Sequence, residues 1–145
     1  MLGALNRKDH RKIMNGNQAG AFQEEMFYAV RDPGADSAVV DLYFTDDFVH
    51  VVDETVFQRA EFDRHIATLK LEFKDMSFDF NKVIDEGDRL ADVHLFHATS
   101  KDGERVTMKF IGVYTLRDGK IARFEELSRL MEGAEGERNL GSHVH

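Results

Sequence analysis

A chain of 145 residues, 42% apolar with 12 phenylalanines and no cysteine, can bury roughly 70% of its unfolded surface as one domain without a disulfide or metal. The missing thiols exclude disulfide frameworks, thiolate metal sites and a cysteine nucleophile, and they fit a reducing, cytoplasmic setting. A net charge of −8 argues against a nucleic-acid partner, whose phosphates are met mainly by lysine and arginine, and no apolar run approaches the ~20 residues of a membrane helix.

The N-terminal arm, 1–16, carries Arg7, Lys8, Arg11 and Lys12 interrupted by Asp9 and His10, a solvated start with no apolar stretch of signal-peptide length. The predicted domain spans 17–132. Asn17 is placed to cap a first helix, in which Phe22, Met26 and Val30 recur at helical spacing until Asp32-Pro33-Gly34 ends it. A short second helix, capped by Asp36 or Ser37, has Val39, Leu42 and Tyr43 as its apolar stripe, and Phe48 to Val52 reads as a strand. In a third helix, from about Arg59 to Phe73, the residues Phe62, Ile66, Leu69 and Phe73 share one face.

Beyond Lys74 the period changes to two. Met76, Phe78 and Phe80 alternate with Ser77, Asp79 and Asn81, as on a half-buried strand. Three turns then repeat, at Asp85–Asp88, Lys101–Glu104 and Arg117–Lys120, each with glycine where a hairpin needs positive φ. They delimit Leu90–Ser100, Val106–Leu116 and Ile121–Met131. The fold class is therefore α+β: a strongly curved, cone-shaped antiparallel sheet, mostly a meander, with three helices from the N-terminal half in its concave face. The polar stretch 133–145 reads as a flexible tail.

This order of elements resembles the nuclear transport factor 2-like superfamily, and most closely its SnoaL-like, polyketide cyclase-like branch. Phe44-Thr45-Asp46-Asp47-Phe48 is similar to that family's entry to its first strand, and Leu116-Arg117-Asp118-Gly119-Lys120-Ile121 to its last hairpin. The resemblance covers roughly Ala19 to Glu132 and implies a cystatin-like α+β barrel enclosing an apolar pocket. Matching the last hairpin points Met108, Phe110, Gly112 and Tyr114 inward on one strand and Phe124, Glu126, Ser128 and Leu130 on the next. Asp92, His94, Phe96 and Ala98 then face in, as do His50 and Val52. Val52 occupies the place of the aspartate base of ketosteroid-isomerase relatives, which disfavours that chemistry.

Glu126 is the leading candidate for catalysis, because a carboxyl on an inner face loses hydration and is driven toward acid–base duty. His50, among apolar neighbours, is its natural proton-carrying partner. Candidate ligand-binding residues are Tyr28, Val52, His65, His94, Phe96, Phe110, Tyr114 and Phe124, with Tyr114 and Tyr28 as hydrogen-bonding phenols. A metal held by His50, His94 and Glu126 lacks a local spacing signature, so no metal and no cofactor are assigned. His94 and His97 lie three apart on a strand and cannot line one site.

On the outer face Val93, Leu95, Ile111, Val113, Ile121 and Leu127 point away from the pocket. A face this apolar needs cover, which predicts a homodimer through the outer sheet. The function expected is a pocket for a small apolar molecule with one or two oxygen functions. Cofactor-free cyclisation, isomerisation or dehydration is one outcome; a non-catalytic ligand-binding or dimerisation module is the alternative.

Overall fold

The computed structural model describes residues 20–133, so the arm, the proposed Asn17 cap and the tail beyond 133 lie outside the described residues. Helix α1 spans Ala21–Arg31 and buries Phe22, Gln23, Met26, Phe27 and Val30. Its N-cap position is Gly20 in a left-handed conformation, with no side-chain cap. Helix α2, Ser37–Tyr43, is capped by Asp36, whose carboxylate accepts from the Ala38 and Val39 amides. Its buried stripe is Val40 and Tyr43 rather than the expected Val39, Leu42 and Tyr43; Leu42 is exposed. A seven-residue helix running straight into a strand is oriented by its two junctions, not by its own moment.

Strand β1, Phe44–Val52, follows without a break. A four-residue strand, β2 (Thr55–Gln58), was not foreseen and pairs back on β1. Helix α3, Arg59–Glu72, opens with a reciprocal capping box between Gln58 and Glu61 and buries Phe62, His65, Ile66, Thr68 and Leu69. The meander completes the chain: β3 (Phe73–Asp85), β4 (Arg89–Ser100), β5 (Arg105–Arg117) and β6 (Lys120–Glu132). Gly87, Gly103 and Gly119 take positive φ in its three turns, as expected.

The six strands lie in the order β2-β1-β6-β5-β4-β3. β1 runs parallel to β6, and the other pairings are antiparallel. The sheet is thus mixed, and it is an open cone with β2 and β3 as its edges, not a closed barrel. Its inner rows meet the helices in one core of aromatic and aliphatic side chains. The inward assignments on β4, β5 and β6 hold, with one correction. Ile121, expected on the outer face, is fully buried. Between Thr115↔Arg123 and Leu116↔Ile121 the register slips by one residue, so a bulge at Ala122 turns the start of β6 over.

No helix among the described residues is long and apolar enough to cross a membrane.

Candidate functional site

The parallel pairing of β1 with β6 sets His50 beside Phe124 and Val52 beside Glu126. His50 and Glu126 are two positions apart along the same inner face, and their side chains meet: Nε2 lies 2.7 Å from Oε2. Asp53, just past β1, accepts hydrogen bonds from the Ser128 amide and hydroxyl and donates its own amide to the Glu126 carbonyl. That clamp fixes the two strands around the pair.

Both members are buried. Phe124 stacks on the His50 ring at 5.0 Å, and Phe48, Phe57 and Phe62 close around it. In this apolar shell burial holds the His50 imidazole down to about 3, helped by the charge of Arg31. Burial also pushes the Glu126 carboxyl up to about 8, against the opposing pull of His94. At neutral pH the pair is therefore a neutral imidazole bonded to a neutral carboxylic acid. Its outer atoms, His50 Nδ1 and Glu126 Oε1, are buried with no hydrogen-bond partner.

These shifts make the pair's share of stability depend on pH. Unfolded, Glu126 ionises near 4.5 and His50 near 6.5. Between 6.5 and 8 the folded state keeps a proton the unfolded chain has lost, so stability falls as pH rises. Between 4.5 and 6.5 the two residues offset each other, and below 4.5 His50 dominates and stability falls with falling pH. Urea unfolding is expected to show the wild type losing about 2 kcal/mol from pH 6.5 to 8. Glu126→Gln should lose this part of the slope; an unchanged slope would contradict the assignment.

A second buried cluster stands two strands away. Asp92 on β4 receives the Tyr114 hydroxyl at 2.6 Å through one carboxylate oxygen and holds His94 Nδ1 at 2.8 Å through the other. Burial, reinforced by Asp92, keeps the Tyr114 phenol well above its usual range, so it remains a donor. Tyr114 stacks on Phe124 at 4.1 Å, which links the clusters through one ring sandwiched between Tyr114 and His50.

Gly112 separates them on β5, paired with Asp92 on one side and Glu126 on the other. A Cβ there would sit 2.7 Å from a Phe124 ring carbon and 2.9 Å from both the Glu125 carbonyl oxygen and the Glu126 Cβ. The close approach of ring and carboxyl requires glycine.

The remaining sequence candidates divide. His65 is buried, stacked on Phe57 at 5.1 Å and 6.4 Å from the His50 ring. Phe110 stacks on His94, and Phe96 packs against Phe73 and Phe78. Val52 is fully buried beside Glu126. Tyr28 stands apart: it is 43% exposed, and its hydroxyl accepts from the Phe78 amide at the β3 edge. His97, as expected, is on the opposite face from His94, bonded to Asp79 and Thr107.

Sequence reasoning missed three participants. Asp92 was placed inward but given no role. Gln23, in α1, is fully buried with both amide atoms unpartnered. Arg31, at the end of α1, lies over the Phe27 and Phe78 rings at 4.9 and 5.3 Å. Spacing offered one clue, since Gln23, Phe27 and Arg31 recur every four residues on a single helix face.

The chain matches the SnoaL-like domain family model over residues 24–124. An uncharacterized protein of Schizosaccharomyces pombe (strain 972 / ATCC 24843) is 28% identical over 122 residues, covering 84% of this chain and 94% of that one. Among solved structures, AclR from Streptomyces galilaeus, described as a candidate hydroxylase, superposes with a TM-score of 0.62 at 17% identity, over 89% of this chain and 84% of its own. IdmH from Streptomyces antibioticus, described as a candidate polyketide cyclase, does so with a TM-score of 0.59 at 16% identity, over 72% and 89%. Those two likenesses speak to fold, and the family match extends over most of the sequence: this chain belongs to the SnoaL-like domain family.

Proposed function

We propose that the protein is a cofactor-free acid–base enzyme acting on a small, largely apolar molecule with one or two oxygen functions. One observation carries this reading: His50 and Glu126 are buried, 2.7 Å apart, and leave an unpartnered atom at each end. Such a pair can take up a proton at Glu126 Oε1, pass its own from Oε2 to His50 Nε2, and release the one on Nδ1. With uptake and release concerted, one proton enters for each that leaves and the pair stays neutral throughout. Cyclisation, isomerisation and dehydration all need a proton removed at one atom and supplied at another. Tyr114, whose O–H is donated to Asp92, is left to accept from a ligand hydroxyl. The test is turnover of a ligand recovered by native mass spectrometry, compared between wild type and Glu126→Gln.

A second reading, a non-catalytic pocket, is favoured by the density of rings around His50. A recovered ligand that both proteins leave unchanged on long incubation would decide for it.

The working unit in this reading is a homodimer. Ile84, Ile111, Val113 and Leu127 are each about half exposed or more, and with Val51 and Val93 they line an apolar groove of about 510 Å³ on the outer face of the sheet. A second copy of the same face covers it with matching chemistry. Sedimentation at micromolar concentration is expected to give a dimer for the wild type and a monomer for Leu127→Arg. A monomeric wild type removes this part of the proposal.

A further inference from the structure

At the C-terminal end of α1 a hollow of about 450 Å³ opens between that helix, α3 and the start of β3, lined among others by Tyr28, Arg31, Lys70, Phe73, Lys74 and Phe78. Asp32 and Asp75 share its rim, so the five charged residues around it sum to one positive charge. The carboxylates do not neutralise Arg31: among the described residues none is within ion-pair distance of it, and its Nε is buried without an acceptor. Asp32 is engaged by the Gly34 amide. Lys70 donates to the Ala35 carbonyl and keeps the rest of its donors. The guanidinium instead lies against the Phe27 and Phe78 rings. Phe27 in turn touches His94 and Phe124, so a continuous set of packed rings joins the wall of the hollow to the neighbourhood of the buried pair.

We infer that Arg31 is the anion-recognition residue of this protein, and that the molecule it admits is an organic carboxylate with a planar apolar body. The inference rests on reading the interior as a ligand site and names the class of ligand that site takes. A planar guanidinium stacked on rings, with free donors and no counter-ion, matches a carboxylate bidentately. Burial lowers Arg31 to about 10 and also lowers Lys70, which Arg31 disfavours further. Arg31 remains charged at neutral pH, and an anion in the hollow meets that charge. The apolar body continues over Phe78 and Phe27 toward His50 and Glu126.

The experiment compares two probes with the same ring system, 1-naphthoate and 1-naphthalenemethanol, titrated into the full-length protein and followed by fluorescence and by the Arg31 Nε–H resonance. The wild type is expected to bind the naphthoate at least tenfold more tightly and to shift that resonance. Arg31→Gln should bind both probes alike, and Lys101→Gln, in an exposed turn, should behave as wild type. Equal affinities in the wild type, a preference that survives in Arg31→Gln, or no binding of either probe at millimolar concentration overturns the inference. Should Arg31→Gln fail to fold, the wild-type resonance decides alone, and its standing still at saturation is a refutation. Glu126→Gln keeps the naphthoate preference whatever happens to turnover, so this inference and the catalytic reading fail separately.

Discussion

Replacing Glu126 with glutamine is expected to lower turnover about 10²–10⁴-fold, the usual contribution of a positioned proton-transfer group, with little change in fold. The amide keeps the shape of the carboxyl and can still donate to His50 Nε2, so the strands and the surrounding rings have no reason to move. What disappears is the acidic proton that the carboxyl can transfer. The pH profile carries the same information: the working form is the neutral pair, so the wild-type rate should hold near neutrality and fall as Glu126 ionises through about 8. A single histidine–carboxyl unit also predicts that His50→Gln and the double variant lose no more than Glu126→Gln alone, because residues that act together are not additive. Full loss of activity accompanied by full loss of structure would show instead that the pair only supports the core. Wild-type turnover in the glutamine variant would remove Glu126 from the chemistry.

The second large effect belongs to a residue with no side chain. Gly112→Ala is expected to cost about 1–3 kcal/mol in urea unfolding, the range for overfilling a packed interior, and to reduce turnover as well. Its Cβ would press on the Phe124 ring, on the Glu125 carbonyl oxygen and on the Glu126 Cβ. Two of those contacts are to atoms that cannot rotate away, so β6 itself must shift, and the carboxyl shifts with it. The backbone φ is not in the left-handed region, so strain there is not the cause. If the alanine variant matched the wild type in both stability and rate, the close packing of ring and carboxyl over Gly112 would not be needed.

The meander was legible because long stretches of its strands alternate, most cleanly in β4 and β5, and each turn carries a glycine. From that alternation and a resemblance in the last hairpin, His50, Glu126, Asp92, His94, Tyr114 and Phe124 were all placed on inner faces, where they are found. Ile121 was not, because a bulge at Ala122 adds a residue that no periodicity announces. Strand β2 is too short for a period to show. Arg31 was invisible for another reason: a cation followed by Asp-Pro-Gly at a helix end reads as a solvated terminus, and only the fold reveals aromatic rings beneath it. Asp92 was known to face inward, but its grip on both His94 and Tyr114 depends on side-chain reach across two strands, which sequence does not state.

His50 and Glu126 are 76 positions apart in sequence yet neighbours in space, because the last strand is laid down alongside the first. A chain emerging during synthesis can form its helices, its short β1–β2 ribbon and most of its hairpins before Glu126 exists to meet the histidine. Until then β1 lacks its parallel neighbour, and His50 lacks both Glu126 and the Phe124 ring. The proposed proton-handling pair is therefore complete only after the final assembly step. Any truncation that removes β6 should leave His50 without its carboxyl partner and β1 without its parallel neighbour.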